Sequence, residues 1–392
     1  MNDLHWDGLD QLRRSHQVRT LAALCAAGRE FVIVGGAVRD ALLGRTPADL
    51  DVIVVGDFDA GLDAVTGHLG RRPADIGDEH QRTHRFVWRG VSIDLACSLG
   101  NLDEDLGRRD FTINALALRL AEFGAVSDAM VDRHDGIAHL EAGQLVAIAA
   151  ANIAADPLRT LRAARYMAQL GFEVEPRTRE FVSENAPRLA GVAAERVANE
   201  WQAVLAGAYW RSALDFAWRV ELGFMSAGAR ATSAPTAAWE AVEGDVELAG
   251  RLAAVLLEVG LDEDVDGLVT ALVAGRWPRP LARTAARAAV WSQSSADDGG
   301  LAALTLIDAE AARIAGRLAR GLGLSALSLE PQAARAVEPR WVTGDDLLAV
   351  GCEPGPQLGE LLREAAIGQI TERWSSAESA LGWAQGRARE SR

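Results

Sequence analysis

The sequence predicts an α+β protein, in which a head with a small mixed sheet precedes an all-helical remainder. Short apolar runs beside glycine, such as "FVIVG" and "LDVIVV", are typical of buried strands and lie within the first 150 residues. From about residue 155 onward, apolar residues recur at helical spacing and strands are hard to find. We therefore expect a head over 1–150, a helical neck over 151–225, and a helical body and tail over 226–392.

The head opens with an amphipathic helix, expected over about residues 8–28, which leads into the strand "FVIVG". The next segment, "AVRDALLG", is predicted to be a helix that ends at Gly44. "LDVIVV" is predicted to be a second strand, with Asp49 just before it and Asp51 on it. An Asp-x-Asp pair therefore lies where a buried strand begins.

Later segments carry clear turn and helix signals. "HRFVWRGVSIDLACS" is predicted to form a hairpin that turns at Arg89-Gly90 and carries Asp94 on its second strand. "DPLRTLRAARYMAQLGF" is strongly periodic, and Gly171 is its natural stop. The loop-like "WSQSSADDGG" at 291–300 is the best candidate for an internal linker.

The composition excludes several classes of protein. The chain has 392 residues, 49% of them apolar, with charges spread throughout, which indicates a folded globular protein. No apolar run is long enough to cross a bilayer and no signal-peptide core is present, so we expect a cytoplasmic location and no membrane partner. Cys25, Cys97 and Cys352 are far apart, which favours reduced thiols over a disulfide framework or a zinc site.

The charge distribution limits where nucleic acid could bind. A net charge of −15 argues against indiscriminate nucleic-acid binding, because that affinity comes mostly from neutralised phosphates. All 40 basic residues are arginines, whose planar guanidinium groups bind phosphates and base edges in bidentate fashion. Residues 157–230 hold 10 arginines against 8 acidic residues, so a nucleic-acid surface is expected to begin there.

The Asp-x-Asp pair is the first candidate for chemistry. Asp49 and Asp51 would face the same side of a regular strand, and Asp94 on a neighbouring strand could join them. Three converging carboxylates repel one another unless cations neutralise them, and oxygen ligands without His or Cys suit Mg²⁺. A pair of such ions can activate a hydroxyl and stabilise a leaving pyrophosphate. In the alternative interpretation, Asp49 caps a turn and Asp51 is merely solvated.

A double glycine precedes this pair. Gly35 and Gly36 follow a buried strand and open a helix, so the backbone could approach a phosphate whose charge the helix start and Arg39 would favour. A tight turn without chemical meaning is the alternative. That alternative does not explain why the glycines, the cationic helix and the Asp-x-Asp strand share one 20-residue unit.

The stretch "GGAVRDALLGRTPADLDVIVV" resembles the first motif of class II tRNA nucleotidyltransferases and bacterial poly(A) polymerases, in the polymerase-beta-like superfamily. Four further motifs and a bacterial tail element follow in the family's order, at 105–118 ("DLGRRDFTINALAL"), 132–148, 155–172 ("ADPLRTLRAARYMAQLGF"), 195–201 ("ERVANEW") and 342–362. The resemblance implies a polymerase-beta-like nucleotidyltransferase head. Residues 205–340 match the family only in helical character.

The resemblance also implies roles for individual residues. Asp49, Asp51 and Asp94 would be the catalytic carboxylates that hold two Mg²⁺ ions. The nucleotide-binding set would comprise Gly35, Gly36, Arg39, Arg108, Arg109, Asp110, Asn114, Asp156, Arg159 and Arg162. Within it, Asp156 and Arg159 would offer C and A the hydrogen bonds that a template would give, leaving G and U with unpaired groups. Local helix capping and salt bridges are the alternative for residues 108–114.

The implied reaction is template-independent transfer of CMP or AMP from CTP or ATP to the 3′ end of tRNA, whose acceptor arm the helical body would bind. The oligomeric state, monomer or homodimer, stays open. A poly(A) polymerase is the nearest alternative, although such enzymes usually have a longer, basic C-terminal region. A catalytically inactive RNA-binding protein is an alternative of another class. Tryptophans such as Trp201, Trp210 and Trp218 could stack on bases, but their spacing favours the helical core.

Three positions depart from the family pattern: Ala155 and a short link bear on specificity, and Ala155 and His139 are the only hints of lost activity. Ala155 stands where the family usually has a Glu that orients the arginine corresponding to Arg159, so we expect Arg159 to be less tightly held. His139 stands where an Asp is usual. The link "CSLGNLDE" is short, which is typical of members that add only CC.

Overall fold

The computed structural model of the protein comprises two compact units, Met1–Leu189 and Ala190–Arg392. The division into head, neck and body with tail stays a prediction. The structure describes residues 2–26, 28–76, 82–98, 100–121, 125–223, 242, 248–259, 265–293, 298–322, 329–336, 338–349 and 352–390.

The first unit is built on a seven-stranded mixed sheet in the order β3-β4-β5-β2-β1-β6-β7. Its strands are β1 (Arg29–Val34), β2 (Asp49–Gly56), β3 (Ala74–Asp75), β4 (Thr83–Trp88), β5 (Val91–Cys97), β6 (Leu116–Arg119) and β7 (Met130–Asp132). Neighbouring strands are antiparallel except β2 and β5, which are parallel. A sheet in the first unit followed by helices confirms the predicted α+β class.

The described residues of this unit also form ten helices and a small second sheet. The helices are α1 (Trp6–Arg14), α2 (His16–Ala23), α3 (Gly36–Leu42), α4 (Phe58–Leu69), α5 (Leu102–Gly107), α6 (Val126–Ala129), α7 (Gly136–Ala142), α8 (Ala150–Ala155), α9 (Leu158–Leu170) and α10 (Pro176–Asn185). A 3₁₀ turn spans Thr112–Asn114 and another spans Ala186–Gly191. Strands β8 (Gln144–Leu145) and β9 (Glu173–Val174) pair in parallel.

The central strands β1 and β2 form the core of the sheet. Phe31, Val32 and Ile33 are each 0% exposed, so both faces of β1 are covered. Continuous apolar runs, rather than alternating ones, are what a strand buried on both faces requires. The strand predictions for "FVIVG" and "LDVIVV" are confirmed, with Asp49 as the first residue of β2 rather than just before it.

The predicted opening helix is wrong in one respect, because the chain forms two helices that break at Ser15. Ser15 has extended backbone angles, and its hydroxyl accepts a hydrogen bond from the Val18 amide at 3.4 Å. Serine favours such capping positions because its side chain replaces a missing backbone partner at a helix start.

The predicted hairpin and helix stops are confirmed. Arg89 and Gly90 have φ angles of 50° and 80°, as a two-residue turn between twisted strands requires. Gly44 follows α3 with φ 68°, and Gly171 ends α9 with φ 74°, both in the left-handed region that glycine tolerates.

The described part of the second unit consists of helices. They are α11 (Ala194–Ala206), α12 (Trp210–Arg219), Leu248–Val259, Val265–Ala274, Arg279–Ser292, Asp298–Ile307, Ala309–Leu322, Leu329–Ala336, Gly344–Ala349, Pro356–Ile370 and Ala377–Glu390. Trp201 and Trp210 are buried, which confirms their predicted place in the helical core, and Trp218 is half-buried.

Two sequence expectations concern less regular parts of the chain. Both ends of the predicted linker at 291–300 lie in helices, which corrects the expectation there, and 294–297 lie outside the described residues.

Every helix of the described residues is too short or too polar to span a bilayer.

One prediction concerns the packing of α7 on the turn Thr112–Asn114. A Cβ atom on Gly136 would lie 2.5 Å from the carbonyl oxygen of Thr112, so we expect Gly136→Ala to destabilise the fold by about 1 to 3 kcal/mol. The melting temperature of the full chain measures this effect. Gly67→Ala on α4 is the control, because no atom lies within 4 Å of its Cβ position. Equal melting temperatures for both variants would contradict the packing described here.

Candidate active site

The Asp-x-Asp pair lies at the start of β2, with both carboxylates exposed on one face of the strand. Strand β5 runs parallel to β2 and pairs Asp94 in register with Asp51, while Asp49 pairs with Ser92. The fold therefore places Asp94 beside Asp51, as predicted.

The environment of Asp51 favours a nearby cation. Desolvation by the surrounding residues raises the pKa of Asp51, and the negative charges of Asp49 and Asp94 raise it further, while Arg109 and Arg162 lower it. Within the described residues, the side chains of Asp49 and Asp51 have no hydrogen bond or ion pair. Negative charge is therefore concentrated at this edge of the sheet.

The third carboxylate has a partner that the sequence reasoning missed. Both oxygens of Asp94 accept hydrogen bonds from Arg85, at 2.7 Å from Nε and 2.5 Å from Nη2. The signal was available, because a two-residue turn at Arg89-Gly90 fixes a register that places Arg85 opposite Asp94. Among the described residues, no group of three or more His, Cys, Asp or Glu side chains is arranged to hold a metal ion.

The double glycine brings an arginine close to the backbone. Gly35 has φ 72°, and a Cβ atom there would lie 2.6 Å from Nη1 of Arg109. The positive φ favours glycine here, and a larger residue would displace the guanidinium group of Arg109. A Cβ atom on Gly36 would lie 3.6 Å from Nη2 of Arg39, so two cationic groups flank the turn.

A buried polar network stands behind these arginines. Asp110 is 3% exposed; its Oδ1 accepts from the Phe111 amide at 2.8 Å and from Nδ2 of Asn114 at 2.9 Å. Its Oδ2 lies 2.9 Å from Nε of Arg162 in an ion pair. Asn114 in turn accepts a 2.7 Å hydrogen bond from Nη1 of Arg39. One chain of contacts therefore links Arg39 on α3 to Arg162 on α9.

This network keeps Asp110 ionised. Burial opposes the charged form, but Arg162 and the hydrogen bonds from Asn114 and Phe111 outweigh it and lower the pKa of Asp110. The contacts of Asp110 are therefore a salt bridge and local hydrogen bonds, as in the structural alternative for residues 108–114.

Tyr166 on α9 organises three arginines and was not predicted. Its ring centroid lies 5.2 Å from Cζ of Arg39, 5.8 Å from that of Arg162 and 4.7 Å from that of Arg165. Its hydroxyl accepts from Nη2 of Arg162 at 2.9 Å and from Nη2 of Arg165 at 2.8 Å. The spacing of four residues between Arg162 and Tyr166 on a helix was the signal that could have found this contact.

Arg108 and Arg109 follow α5 and are held by local contacts. Nε of Arg108 donates to the carbonyl oxygen of Glu104 at 3.2 Å. Nη1 of Arg109 donates to the carbonyl oxygen of Asn114 at 3.2 Å, and Nη2 lies 3.5 Å from Oδ2 of Asp105. Arg109 is thus held by two contacts, whereas the side chain of Arg108 is exposed.

The two predicted base-reading residues lie at the start of α9. Asp156 accepts from the Leu158 amide at 3.1 Å. Nη1 of Arg159 donates to the carbonyl oxygens of Arg108, at 2.7 Å, and Asn152, at 3.1 Å. Arg159 is therefore oriented by backbone carbonyls, and the expectation that Ala155 leaves it loosely held is not supported by these contacts.

Comparisons with known proteins identify both the head and the segment that follows it. The family described as "Poly A polymerase head domain" matches residues 31–97 and 75–146. The family described as "Probable RNA and SrmB- binding site of polymerase A" matches residues 171–222. Together they include the Asp-x-Asp strand, the glycine turn, Asp110 and Asn114, whereas Arg162 lies between the two matched ranges.

Relatives of similar sequence are tRNA nucleotidyltransferases by name. The chain is 40% identical over 184 residues to the CC-adding tRNA nucleotidyltransferase of Synechocystis, covering 45% of this chain and 43% of the relative. It is 35% identical over 200 residues to the CCA-adding enzyme of Lactiplantibacillus plantarum, covering 46% of each. The matches thus span about half the length of these curated relatives.

Solved structures with the same fold extend over nearly the whole chain. The Thermotoga maritima CCA-adding enzyme complexed with tRNA has a TM-score of 0.73 at 17% identity and covers 99% of this chain and 100% of its own. The Bacillus stearothermophilus CCA-adding enzyme in complex with CTP has a TM-score of 0.66 at 21% identity, covering 98% and 97%. At these identities the likeness establishes the fold. In sequence, residues 31–146 and 171–222 therefore resemble poly(A) polymerase and tRNA nucleotidyltransferase relatives, and the chain has the fold of the solved CCA-adding enzymes.

The polar network generates a pH-dependent prediction. Because the folded pKa of Asp110 is lowered, its contribution to stability is present above the unfolded pKa of about 3.9 and is lost as pH falls through the folded value. We expect Asp110→Asn to lower the free energy of unfolding by about 1 to 3 kcal/mol at neutral pH. Urea denaturation at several pH values should show the difference from wild type shrinking below about pH 5. A difference independent of pH would contradict the network.

Proposed function

We propose that this protein is a template-independent nucleotidyltransferase that adds CMP, AMP or both from CTP and ATP to the 3′ end of tRNA. The observation that carries the proposal is the exposed, unneutralised pair Asp49 and Asp51 beside a surface of preset arginines. The names of the relatives, CC-adding and CCA-adding, support the same reaction.

The carboxylate pair fits a hard divalent cation. Asp49 and Asp51 supply oxygen donors on one strand face, and the pKa of Asp51 is raised by desolvation first and then by the charges of Asp49 and Asp94, which a bound Mg²⁺ would offset. Bound Mg²⁺ would activate the RNA 3′ hydroxyl and neutralise charge on the leaving pyrophosphate. Asp94 would become a third ligand only if Arg85 released it, so the first two carboxylates are the principal candidates.

The chain's own residues would position the nucleotide. The glycine turn gives access to the backbone at Gly35, and Arg39 and Arg109 beside it would bind the triphosphate. Because Asn114 and Tyr166 already hold Arg39, little side-chain entropy would be lost on binding. This preorganisation places most of the catalytic work in positioning and charge stabilisation.

Base selection would depend on Asp156 and Arg159. A carboxylate accepts from an exocyclic amine, and a guanidinium donates to a ring nitrogen or carbonyl, so both C and A can pair with them. A base with the opposite pattern would leave a buried group unpaired, at a cost of about 1 to 3 kcal/mol each. The RNA partner would be the acceptor arm of tRNA, and the match of residues 171–222 to an RNA-binding family supports such a partner.

A CC-adding enzyme is the second candidate. Only residues 98–101 separate β5, which ends at Cys97, from α5, which begins at Leu102. This short connection, together with the CC-adding relative in Synechocystis, favours addition of C and C without the terminal A.

The nucleotide requirement tests the reaction directly. Purified protein, Mg²⁺ and tRNA truncated at its discriminator base are incubated with CTP alone, ATP alone, or both. We expect extension by two residues with CTP alone, and by a third with both nucleotides if the full CCA end is made. Long tails with ATP alone would point to a poly(A) polymerase, and no extension by folded protein would contradict the proposal.

A matched pair of variants tests the carboxylates. Asp51→Asn keeps the side-chain size but removes the charge, so we expect the extension rate to fall by about 100-fold or more. Affinity for tRNA should stay within about 2-fold, because it comes mostly from contacts to phosphates. Asp63→Asn, an exposed carboxylate on α4, is the control and should retain the wild-type rate. An active Asp51→Asn protein would show that this carboxylate does no chemistry.

A further inference from the structure

Asn152 on α8 makes an unusual set of contacts near the predicted base-reading residues. Its side-chain Nδ2 donates to the carbonyl oxygens of Gly107 and Arg109, at 2.8 and 2.7 Å. Its own backbone carbonyl oxygen accepts from Nη1 of Arg159 at 3.1 Å. One half-buried residue therefore contacts both the segment that carries the arginine pair and the arginine at the start of α9.

The contacts form a closed arrangement. Arg108 lies between Gly107 and Arg109, and its carbonyl oxygen accepts a 2.7 Å hydrogen bond from the same Nη1 of Arg159. Three consecutive carbonyls, at residues 107–109, are thus fixed by two side chains. Without the side-chain amide of Asn152, the hydrogen bonds to the carbonyl oxygens of Gly107 and Arg109 would be lost. The carbonyl group of Arg108, which accepts from Arg159, would then be free to shift.

Resting on the proposed function, we propose that Asn152 is the positioning residue that sets base selection, by holding Arg159 and the Arg108-Arg109 segment as one unit. Asn152 thereby replaces the orienting carboxylate that the family usually has at the position of Ala155. Carbonyl oxygens are good acceptors for a guanidinium group, and two of them can orient it without adding negative charge.

The arrangement leaves part of Arg159 for the nucleotide. Both carbonyls engage Nη1, and within the described residues Nε and Nη2 of Arg159 have no hydrogen bond. These two nitrogens are a planar donor pair, which suits an acceptor edge on a base. The position of Nη1 sets the direction in which Nε and Nη2 point. A small shift of the Arg108 carbonyl group would therefore turn both nitrogens away from the base.

The test measures selection rather than rate alone. For Asn152→Ala we expect the ratio of kcat/KM for CTP to that for UTP to fall by at least about 10-fold, which corresponds to about 1.4 kcal/mol. The loss should appear mainly as a higher KM for CTP. Asn2→Ala is the matched control, since its Nδ2 also donates to a carbonyl, that of Leu140 at 2.9 Å, and it should keep the wild-type ratio.

A second variant restores an acceptor by another route. Adding Ala155→Glu to Asn152→Ala should recover most of the lost selection, because a carboxylate at 155 could hold Arg159. Ala155→Glu alone should change the ratio by less than about 3-fold, because Arg159 is already held. A large gain from Ala155→Glu alone, or an unchanged ratio in Asn152→Ala, would overturn the proposal.

Nucleotide binding tests the role of Asn152 independently of the proposed reaction. If the wild-type protein extends no RNA, the proposed reaction fails, and the inference is then judged on binding of a fluorescent CTP and a fluorescent UTP to the same variants. Loss of the affinity difference in Asn152→Ala, but not in Asn2→Ala, supports it. An affinity difference equal to that of the wild type in Asn152→Ala contradicts it.

Discussion

A single buried carboxylate, that of Asp110, determines how the cationic groups of the head are arranged. A buried charge must be paired, since an isolated one costs several kcal/mol. Asp110 is paired with Arg162 and hydrogen-bonded by Asn114, and Asn114 in turn fixes Arg39. The network joins α3, the turn at Thr112–Asn114 and α9, so two arginines distant in sequence, Arg39 and Arg162, are held by one set of contacts.

Three other acidic residues, Asp49, Asp51 and Asp94, lie near one another on β2 and β5. Asp49 and Asp51 stay exposed and, in the described residues, unpaired, while Asp94 beside them is neutralised by Arg85. This separation of balanced and unbalanced charge is what distinguishes a cation-binding edge from an ordinary salt-bridged surface. Parallel pairing of β2 with β5 brings the acids together, and the glycine turn at Gly35 brings Arg109 towards them.

Features encoded by local signals were predictable from the sequence. The hairpin at Arg89-Gly90 and the helix stop at Gly171 each depend on a few adjacent residues, and both are confirmed. The break at Ser15 was missed, although on one continuous helix the buried Leu9 and Leu12 would lie opposite Val18 and Leu21. The Arg85–Asp94 pair could have been derived by counting from the turn. The contacts of Asn152 could not, because its acceptors are backbone carbonyls, which every residue has.

In the proposed function, the carboxylates of β2 and the arginines behind them bind one nucleoside triphosphate, with its base against Arg159. A crystal structure of the protein with Mg²⁺ and a non-hydrolysable CTP analogue tests this most directly. We expect phosphates between Asp49, Asp51 and Arg109, and the cytosine edge within hydrogen-bonding distance of Arg159. A nucleotide bound elsewhere, or one whose phosphates lie away from both carboxylates, would contradict it.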